Sequence, residues 1–150
     1  GKLSGETIGN IKVKYSHLKS TVINKKLAPY LIDEYPILAI AASQAKGITK
    51  MQGLSELRYK ESDRLKSIHE NLIATKIDSS LRNDDLIIKG THEKLIGNNK
   101  ITTYHDHRIA MSFSILNLIC KKSLKIDNLK CIEISYPKFK QDLKSILKNG

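Results

Sequence analysis

The sequence predicts an α/β (α+β) fold, in which short strands alternate with helices along the chain. Segments rich in Ile, Val and Thr alternate with longer segments whose apolar residues recur at helical spacing. Two segments, 41–53 and 112–127, both run from an apolar helix through lysine into a strand, which indicates a repeated helix–strand unit. No linker rich in Pro, Gly or Ser interrupts the 150 residues, so we expect one unit, 1–150, without an internal domain boundary.

The first third of the chain predicts two strands, a loop, a helix and a third strand. Residues 11–15 and 18–23 alternate apolar and polar side chains around a polar turn, which is typical of short strands. Residues 24–31 are predicted to form a loop. The apolar segment 32–47 predicts a helix, and the alternating segment 48–53 predicts a strand. The helix carries three end signals: Asp33 as a plausible N-cap, Pro36 in the first turn and Gly47 as a stop.

The middle of the chain predicts a helix followed by a hairpin. Residues 56–60 are expected to be extended or to form a turn, and 61–76 forms an amphipathic helix. Segments 76–82 and 85–90 are predicted strands, joined by the polar turn 83–85. The apolar face of the helix is made by Leu65, Ile68, Leu72 and Ile73.

The last third repeats the same alternation. Residues 100–104 predict a strand, and 105–122 predicts a largely buried helix, because its residues are apolar nearly all round. Two further strands are predicted at 123–127 and 130–134, and a final helix at 135–149. This order of strands and helices favours a fold built from repeated mixed units.

Composition argues against several classes of protein. The net charge of +11 comes mostly from scattered lysines, and few aromatic residues accompany them, so a nucleic-acid-binding module is disfavoured. The longest apolar stretch, 37–42, is too short to cross a bilayer, and no secretory leader is recognisable, so we expect no membrane partner. Cys120 and Cys131 follow no metal-ligand spacing, which favours a reduced, cytoplasmic protein without a metal site.

Arginine is rare in this lysine-rich chain, and two arginines lie at predicted helix starts. Lys60 and Arg64 are spaced i, i+4 in the first turn of the predicted helix, where like charges repel and the helix dipole favours anions. An anion bound between them would remove both penalties. Glu61 and Asp63 soften the repulsion, so a solvated face of mixed charge remains the alternative.

A second helix start, in YHDHRIAMSF (104–113), concentrates titratable groups. Asp106 is a natural N-cap, which puts His107 and Arg108 in the first turn. An arginine at the mouth of a buried helix must pair with a carboxylate or bind a ligand, and both possibilities stay open. A metal site of His105, Asp106 and His107 is disfavoured, because neighbouring side chains in such a turn point apart and no further ligands are recognisable.

The third helix start contains Asp33, for which the sequence allows two roles. Asp33 is either a plain N-cap or a general base, whose pKa a neighbouring apolar helix would raise by partial desolvation. Together the three helix starts offer two guanidinium groups, an ammonium group, carboxylates and an imidazole. This set suits a small, doubly anionic substrate and proton transfer. No nucleophile–base pair and no Gly-rich phosphate loop is recognisable within these stretches.

Four stretches resemble the 5-enolpyruvylshikimate-3-phosphate synthases: LIDEYPILAIAA, ELRYKESDRL, DHRIAMSF and SYPKF, in this order and at this spacing. The resemblance implies transfer of the enolpyruvyl group of phosphoenolpyruvate to the 5-hydroxyl of shikimate 3-phosphate, without a metal or organic cofactor. It also implies a fold of two similar domains, each made of three βαβαββ units. The chain resembles the C-terminal third of this fold, or about two of its six units, and its start without Met is expected of a fragment.

The resemblance also implies roles for individual residues. Asp33 corresponds to the proton acceptor that also contacts the hydroxyls of shikimate 3-phosphate, and Lys60 to a lysine near the reacting hydroxyl. Glu61 corresponds to a glutamate proposed to move protons at the phosphoenolpyruvate methylene. The arginines that hold phosphoenolpyruvate and a histidine beside the same site correspond to Arg64, Arg108 and His107.

Two departures from the family pattern limit these expectations. One branch of the family has a lysine where this chain has Ile134, and Lys138 is not assigned in its place. The substrate-binding residues of the family's first half are missing, so we expect the chain alone to be inactive and to need a complementary N-terminal half. The alternatives are a non-catalytic remnant and a fragment of a UDP-sugar enolpyruvyl transferase, which KESDR and DHRIAM argue against.

Overall fold

The computed structural model describes residues 1–91 and 93–148, and it divides into a small hairpin and two successive units of strands and helices. The hairpin pairs β1 (Lys2–Leu3) with β2 (Glu6–Thr7) in antiparallel fashion. Both units contain a parallel pair of strands connected through a helix, as the repeated helix–strand pattern predicts.

The first unit holds a four-stranded sheet with two main helices. Its elements are β3 (Val22–Ile23), α1 (Ala28–Leu31), α2 (Tyr35–Ser43), β4 (Gly47–Met51), α3 (Arg64–Ala74), β5 (Ser79–Arg82) and β6 (Asp85–Gly90). The strand order is β3-β4-β6-β5, with β3 parallel to β4 and the other pairs antiparallel. Apart from the short α1, the order is βαβαββ, which confirms the predicted type of unit.

The second unit begins in the same way. Its elements are β7 (Lys100–Ile101), α4 (His107–Asn117), β8 (Lys125–Ile126) and α5 (Phe139–Lys148). An isolated parallel bridge precedes each parallel pair, Lys19 to Lys46 in the first unit and Gly97 to Lys122 in the second. The two segments that looked alike in the sequence therefore occupy equivalent positions, from α2 into β4 and from α4 into β8.

The main core lies between the helices and the inner face of the sheet. Helix α2 packs on α4 and on β6, while α3 packs on β5 and contacts both of these helices. The predicted stripe of α3 is buried at Leu65, Ile68 and Leu72, but Ile73 is half exposed and does not belong to it. The largest apolar side chains of this core are Tyr35, Met51, Leu54, Leu57, Leu86, Ile88 and Phe113.

Two strand predictions need correction. Residues 11–15 form no strand and are exposed, because no neighbouring strand pairs with them within the described part of the chain. Residues 130–134 form a 3-10 helix, which buries Cys131 and Ile132 against Ala110 of α4. A second 3-10 helix, Ser55–Tyr59, covers most of the segment 56–60, which was expected to be extended or to form a turn. The final helix covers Phe139–Lys148, and Asn149 lies outside the described residues.

Among the residues that the structure describes, no helix combines the length and apolar character needed to cross a membrane.

Candidate functional site

The candidate site is built around Asp33, which lies in the turn between α1 and α2. Helix α2 begins at Tyr35, its N-cap position is occupied by Glu34, and no side chain caps the helix by a hydrogen bond. The prediction that Asp33 is the N-cap of this helix is therefore wrong. The turn leaves 43% of the Asp33 side chain exposed, and both carboxylate oxygens are free to meet groups from other elements.

Three cations from different elements converge on the Asp33 carboxylate. Arg64, the first residue of α3, donates from Nη1 to Asp33 Oδ1 at 2.9 Å. Lys60 Nζ lies 3.8 Å from the same oxygen, and Arg108 Nη2 lies 3.6 Å from Oδ2. Arg108 also donates from Nη1 to the backbone carbonyl of Asp33 at 2.9 Å. The structure thus brings together four residues that lie up to 75 positions apart in the sequence.

The surrounding charges shift the pKa of Asp33 in the direction opposite to the expected one. Burial raises the pKa of this carboxyl, but the hydrogen bond from Arg64 and the charges of Arg108, Lys60 and Arg64 lower it more. The net pKa is below the ordinary value of 3.8. The expectation that an apolar helix raises the pKa of Asp33 is wrong, because three cations outweigh the partial loss of solvent.

Arg64 is completely buried, with 0% of its side chain exposed, and is surrounded by carboxylates. Besides Asp33, it binds Glu61 through Nη2, and it donates from Nε to Asp106 Oδ2 at 2.9 Å. Burial lowers the pKa of this guanidinium, but the hydrogen bond and charge of Asp106, the charge of Glu61 and the hydrogen bond to Asp33 raise it above its ordinary value. Arg64 therefore stays charged, and a bound anion could reach it only by replacing a carboxylate.

Asp106, which the sequence predicts as the N-cap of α4, also belongs to the site. It does cap α4, because Oδ1 accepts from the backbone N–H of Arg108 at 2.9 Å. It is also fully buried against Arg64. A signal for this pair exists in the sequence, since Arg64 lies four positions before Ile68 and so shares the apolar face of α3. An arginine on a buried helix face requires a carboxylate partner.

Lys60 does not lie on α3, so the predicted i, i+4 repulsion with Arg64 does not occur. It follows the 3-10 helix Ser55–Tyr59 in extended conformation, and α3 begins only at Arg64, with Asp63 as N-cap. The two cations approach Asp33 from different backbone segments. In this structure the Asp33 carboxylate lies between the two cations, and the binding of a small anion by them stays a prediction.

Glu61 and His107 are both less buried than Arg64. Half of the Glu61 side chain is exposed, although it pairs with the buried Arg64. His107 is the first residue of α4 and is partly buried. Arg108 follows it with 31% of its side chain exposed and also contacts Glu34, at 3.4 Å. The site therefore presents Arg108, Lys60 and Glu61 toward solvent, while Arg64 and Asp106 lie beneath them.

The turn before α4 has an unusual backbone conformation, and it places His105 against Asn128. Tyr104 and His105 both adopt left-handed backbone conformations, with φ of 52° and 60°, which non-glycine residues rarely do. The hydroxyl of Tyr104 donates to Glu70, and the His105 ring pairs with Asn128. The His105 ring is therefore engaged by Asn128, which does not belong to the Asp33 cluster. Within the described residues, no three His, Cys, Asp or Glu side chains are placed to hold a metal ion.

A cavity of about 270 Å³ opens beside Asp33 and Arg108, between α2 and α4. Glu34 and Ser112 add polar groups to its wall. The remaining wall is apolar and is formed by Ile37, Met111, Ile115, Tyr136 and Phe139. Arg108 is the cation that faces this space, so the exposed part of the cluster adjoins an open concavity.

Comparison with known proteins gives a consistent result. The family model described as EPSP synthase (3-phosphoshikimate 1-carboxyvinyltransferase) matches residues 3–143. A 3-phosphoshikimate 1-carboxyvinyltransferase from Petrotoga mobilis is 44% identical over 144 residues, which cover 96% of this chain and 33% of that protein. A protein of the same name from Methylorubrum extorquens is 43% identical over 136 residues, covering 91% of this chain and 30% of that protein.

Solved structures agree with these sequence matches. An EPSP synthase from Acinetobacter baumannii superposes with a TM-score of 0.78 and 35% sequence identity. The superposition covers 83% of this chain and 29% of that structure. The chain thus spans about a third of the length of the relatives that it matches.

Proposed function

Because the chain belongs to the EPSP synthase family, we propose that it supplies part of an active site that transfers the enolpyruvyl group of phosphoenolpyruvate to shikimate 3-phosphate. The observation that carries this proposal is the convergence of Lys60, Arg64 and Arg108 on Asp33. Three cations placed around one point can bind anionic groups. Phosphoenolpyruvate and shikimate 3-phosphate are both multiply anionic.

Arg108 is the residue that we propose makes the first contact with phosphoenolpyruvate. It is partly exposed, it faces the open concavity, and its guanidinium can hold a phosphate or carboxylate with two parallel hydrogen bonds. His107 lies next to it at the start of α4 and adds a hydrogen-bond donor at the positive end of the helix.

Arg64 takes part differently, because its donors are occupied by carboxylates. We propose that it orders Asp33 and Glu61 and contacts phosphoenolpyruvate after the Glu61 side chain has rotated off it toward the substrate, while the backbone of residues 59–62 stays in place. Glu61 is the partner that can leave most easily, since half of its side chain is in solvent. Asp106 is fully buried and keeps Arg64 in place.

The proton transfers follow from this arrangement. Glu61 delivers a proton to the methylene carbon of phosphoenolpyruvate, which makes the adjacent carbon electrophilic. The 5-hydroxyl, placed near Lys60, attacks that carbon, and its proton passes to Asp33. The phosphate then leaves with the electron pair of its C–O bond and takes up the proton held by Asp33, and return of one methyl proton to Glu61 restores the double bond. The nearby cations stabilise the negative charge of the departing phosphate.

The proposed reaction needs a second set of residues, because the chain spans about a third of the family's length. We propose that a complementary N-terminal polypeptide completes the substrate site and that the chain alone is inactive. We further propose that the completed enzyme acts on these small-molecule substrates in the cytoplasm, which is compatible with the free thiols of Cys120 and Cys131.

The test is to join this chain to the N-terminal two-thirds of a full-length relative and to measure phosphate release from both substrates. Turnover that requires both parts is the expected result. The chain alone is expected to release no phosphate. No turnover from a folded fusion would favour a non-catalytic remnant, and turnover by the chain alone would contradict the need for a second part.

A matched pair of arginine variants in the same fusion tests the site itself. Arg108→Ala is expected to lower kcat/KM by roughly 100-fold or more, because it removes a charge from the transition state. Arg82→Ala removes an exposed arginine of β5 outside the cluster and serves as the control. Equal activity of the two variants would remove Arg108 from the proposed site.

A further inference from the structure

Arg58 is an arginine that lies outside the Asp33 cluster but makes contacts as extensive as those within it. It belongs to the 3-10 helix Ser55–Tyr59, and 31% of its side chain is exposed. Its Nε donates to Asp84 Oδ1 at 3.0 Å, and Nη2 donates to the carbonyl of Asn83 at 3.1 Å. Its Nη1 donates to Asp63 Oδ2 at 3.3 Å. One guanidinium thus joins the tip of the β5–β6 hairpin to the start of α3.

The hairpin tip offers a fixed anchor for this guanidinium. Leu54 N–H donates to the carbonyl of Asp84 at 2.8 Å, and Gly53 N–H donates to Asp85 at 2.9 Å. Lys50 also pairs with Asp85 at 3.1 Å. The backbone that leads to Arg58 is therefore already attached to the hairpin by hydrogen bonds other than its own.

Asp63 divides its two oxygens between two tasks. Its Oδ1 accepts from the backbone N–H of Lys66 at 2.9 Å and caps α3. Its Oδ2 receives the hydrogen bond from Arg58. The four residues between Arg58 and Asp63 form a short loop whose two ends are linked by this pair, and that loop carries Lys60 and Glu61.

We propose that Arg58 is a positioning residue that holds the loop 59–62 so that Lys60 and Glu61 meet Asp33 and Arg64. Linking both ends of a short loop restricts its conformations, so that less order has to be created when a ligand binds. Only the planar guanidinium reaches three acceptors in different directions at once. A lysine has the same charge but lacks this geometry.

Hydrogen exchange on the 150-residue chain tests the loop directly, without any need for activity. In Arg58→Lys, the amides of residues 59–62 are expected to exchange roughly fivefold faster or more, while the amides in the middle of α3 keep their protection. Asp63→Asn is a second variant, because asparagine retains the cap but weakens the bond to Arg58. Lys66→Gln removes an exposed pair with Glu70 and is the control.

Two results of the exchange experiment would overturn the proposal. Unchanged exchange at 59–62 in both variants would mean that Arg58 does not hold the loop. Faster exchange throughout the chain would mean that Arg58 supports the fold as a whole and has no particular effect on the loop.

The kinetic test rests on the proposed function and uses the fusion described above. Arg58→Lys is expected to lower kcat about tenfold or more with little change in KM for phosphoenolpyruvate, because proton transfer depends on the placement of Glu61. A fall in the amount of folded protein, with kcat per folded molecule unchanged, would contradict a positioning role. If the unaltered fusion has no turnover, the proposed function fails, while the exchange experiment still decides the role of Arg58.

Discussion

Arg64 and Asp106 form a fully buried ion pair that connects the starts of two helices. Arg64 Nε donates to Asp106 Oδ2 at 2.9 Å, and 0% of either side chain is exposed. The other oxygen of Asp106 accepts from the backbone N–H of Arg108. A single carboxylate therefore ties the buried guanidinium of α3 to the turn of α4 that presents Arg108. The positions of the two arginines are coupled through the core.

Replacing Asp106 with asparagine is expected to destabilise the chain strongly. Asparagine has a similar shape and can still cap α4, but it leaves the buried Arg64 without its main counter-charge. Breaking a buried pair on one side costs about 3 kcal/mol. The free energy of unfolding in urea, measured for Asp106→Asn and for the unaltered chain, gives this difference.

Asp63→Asn is the matched control for that variant. Asp63 also caps a helix and also binds an arginine, but Arg58 and Asp63 are each about a third exposed. Pairs of this kind contribute about 0–1 kcal/mol, so the control is expected to lose little stability. Equal losses in the two variants would show that helix capping, and not the buried charge, gives Asp106 its importance.

Arg108→Gln is expected to raise the pKa of Asp33. Burial raises this pKa. The hydrogen bond from Arg64 lowers it most, and the positive charge of Arg108 has the second largest lowering effect. Without that charge the pKa should move back toward 3.8. Carboxyl carbon chemical shifts of Asp33, followed by NMR during an acid titration, measure the change. Arg82→Gln is the control and should leave this pKa where it is.

The same shift predicts the direction of the pH dependence of stability. A carboxyl whose pKa is lower in the folded state stabilises the fold above its unfolded pKa, here 3.8, and this contribution disappears as pH falls through the folded pKa. The stability difference between the unaltered chain and Arg108→Gln should therefore shrink on acidification below 3.8. A difference that grows in acid would contradict the electrostatic coupling of the two residues.

Much of the fold follows from the sequence, because long periodic helices and a well-marked hairpin need only local signals. Helices α2, α3 and α4 and strands β4 and β6 lie where periodicity predicts them. The failures are the segments 11–15 and 130–134. An alternating pattern indicates a strand only if another strand is available to pair with it, and that condition depends on tertiary structure.

The sequence indicated which residues lie together in the candidate site better than it indicated how they are arranged. Sequence reasoning named Asp33, Lys60 and Arg108, and the structure places them together. It also placed Lys60 in the first turn of α3 and gave Asp33 as either an N-cap or a general base of raised pKa, and the structure contradicts the position of Lys60, the N-cap and the raised pKa. The start of a helix and the approach of three cations to one carboxylate depend on loop geometry, which residue spacing alone does not specify. The pair of Arg64 and Asp106 was missed although Arg64 lies on the buried face of α3, because the sequence does not show which carboxylate supplies the partner.

Gly90→Ala is expected to be among the most disruptive small substitutions in the first unit. A Cβ atom at Gly90 would collide with the backbone carbonyl oxygens of Ala42 and Ala45 at the end of α2. Backbone atoms cannot rotate away, so β6 or the helix end must shift, at a cost of roughly 1–3 kcal/mol. Gly9→Ala is the control, because a Cβ there meets nothing within 4 Å. Similar urea midpoints for the two variants would contradict this close approach of helix and strand.

Tyr35→Phe is expected to stabilise the chain. Tyr35 is completely buried at the start of α2, and within the described residues its hydroxyl is the buried side-chain polar atom that has no hydrogen-bond partner. Burial also raises the pKa of this phenol. An unsatisfied buried hydroxyl costs about 1–3 kcal/mol, so its removal should raise the free energy of unfolding by about 1 kcal/mol.

Tyr104→Phe is the matched control, because that hydroxyl is exposed and donates to Glu70 at 2.7 Å, and its loss should give no gain. If Tyr35→Phe lowers the stability, the hydroxyl must have a partner, such as a buried water molecule, and the α2 start would be held by a polar contact rather than by apolar packing alone.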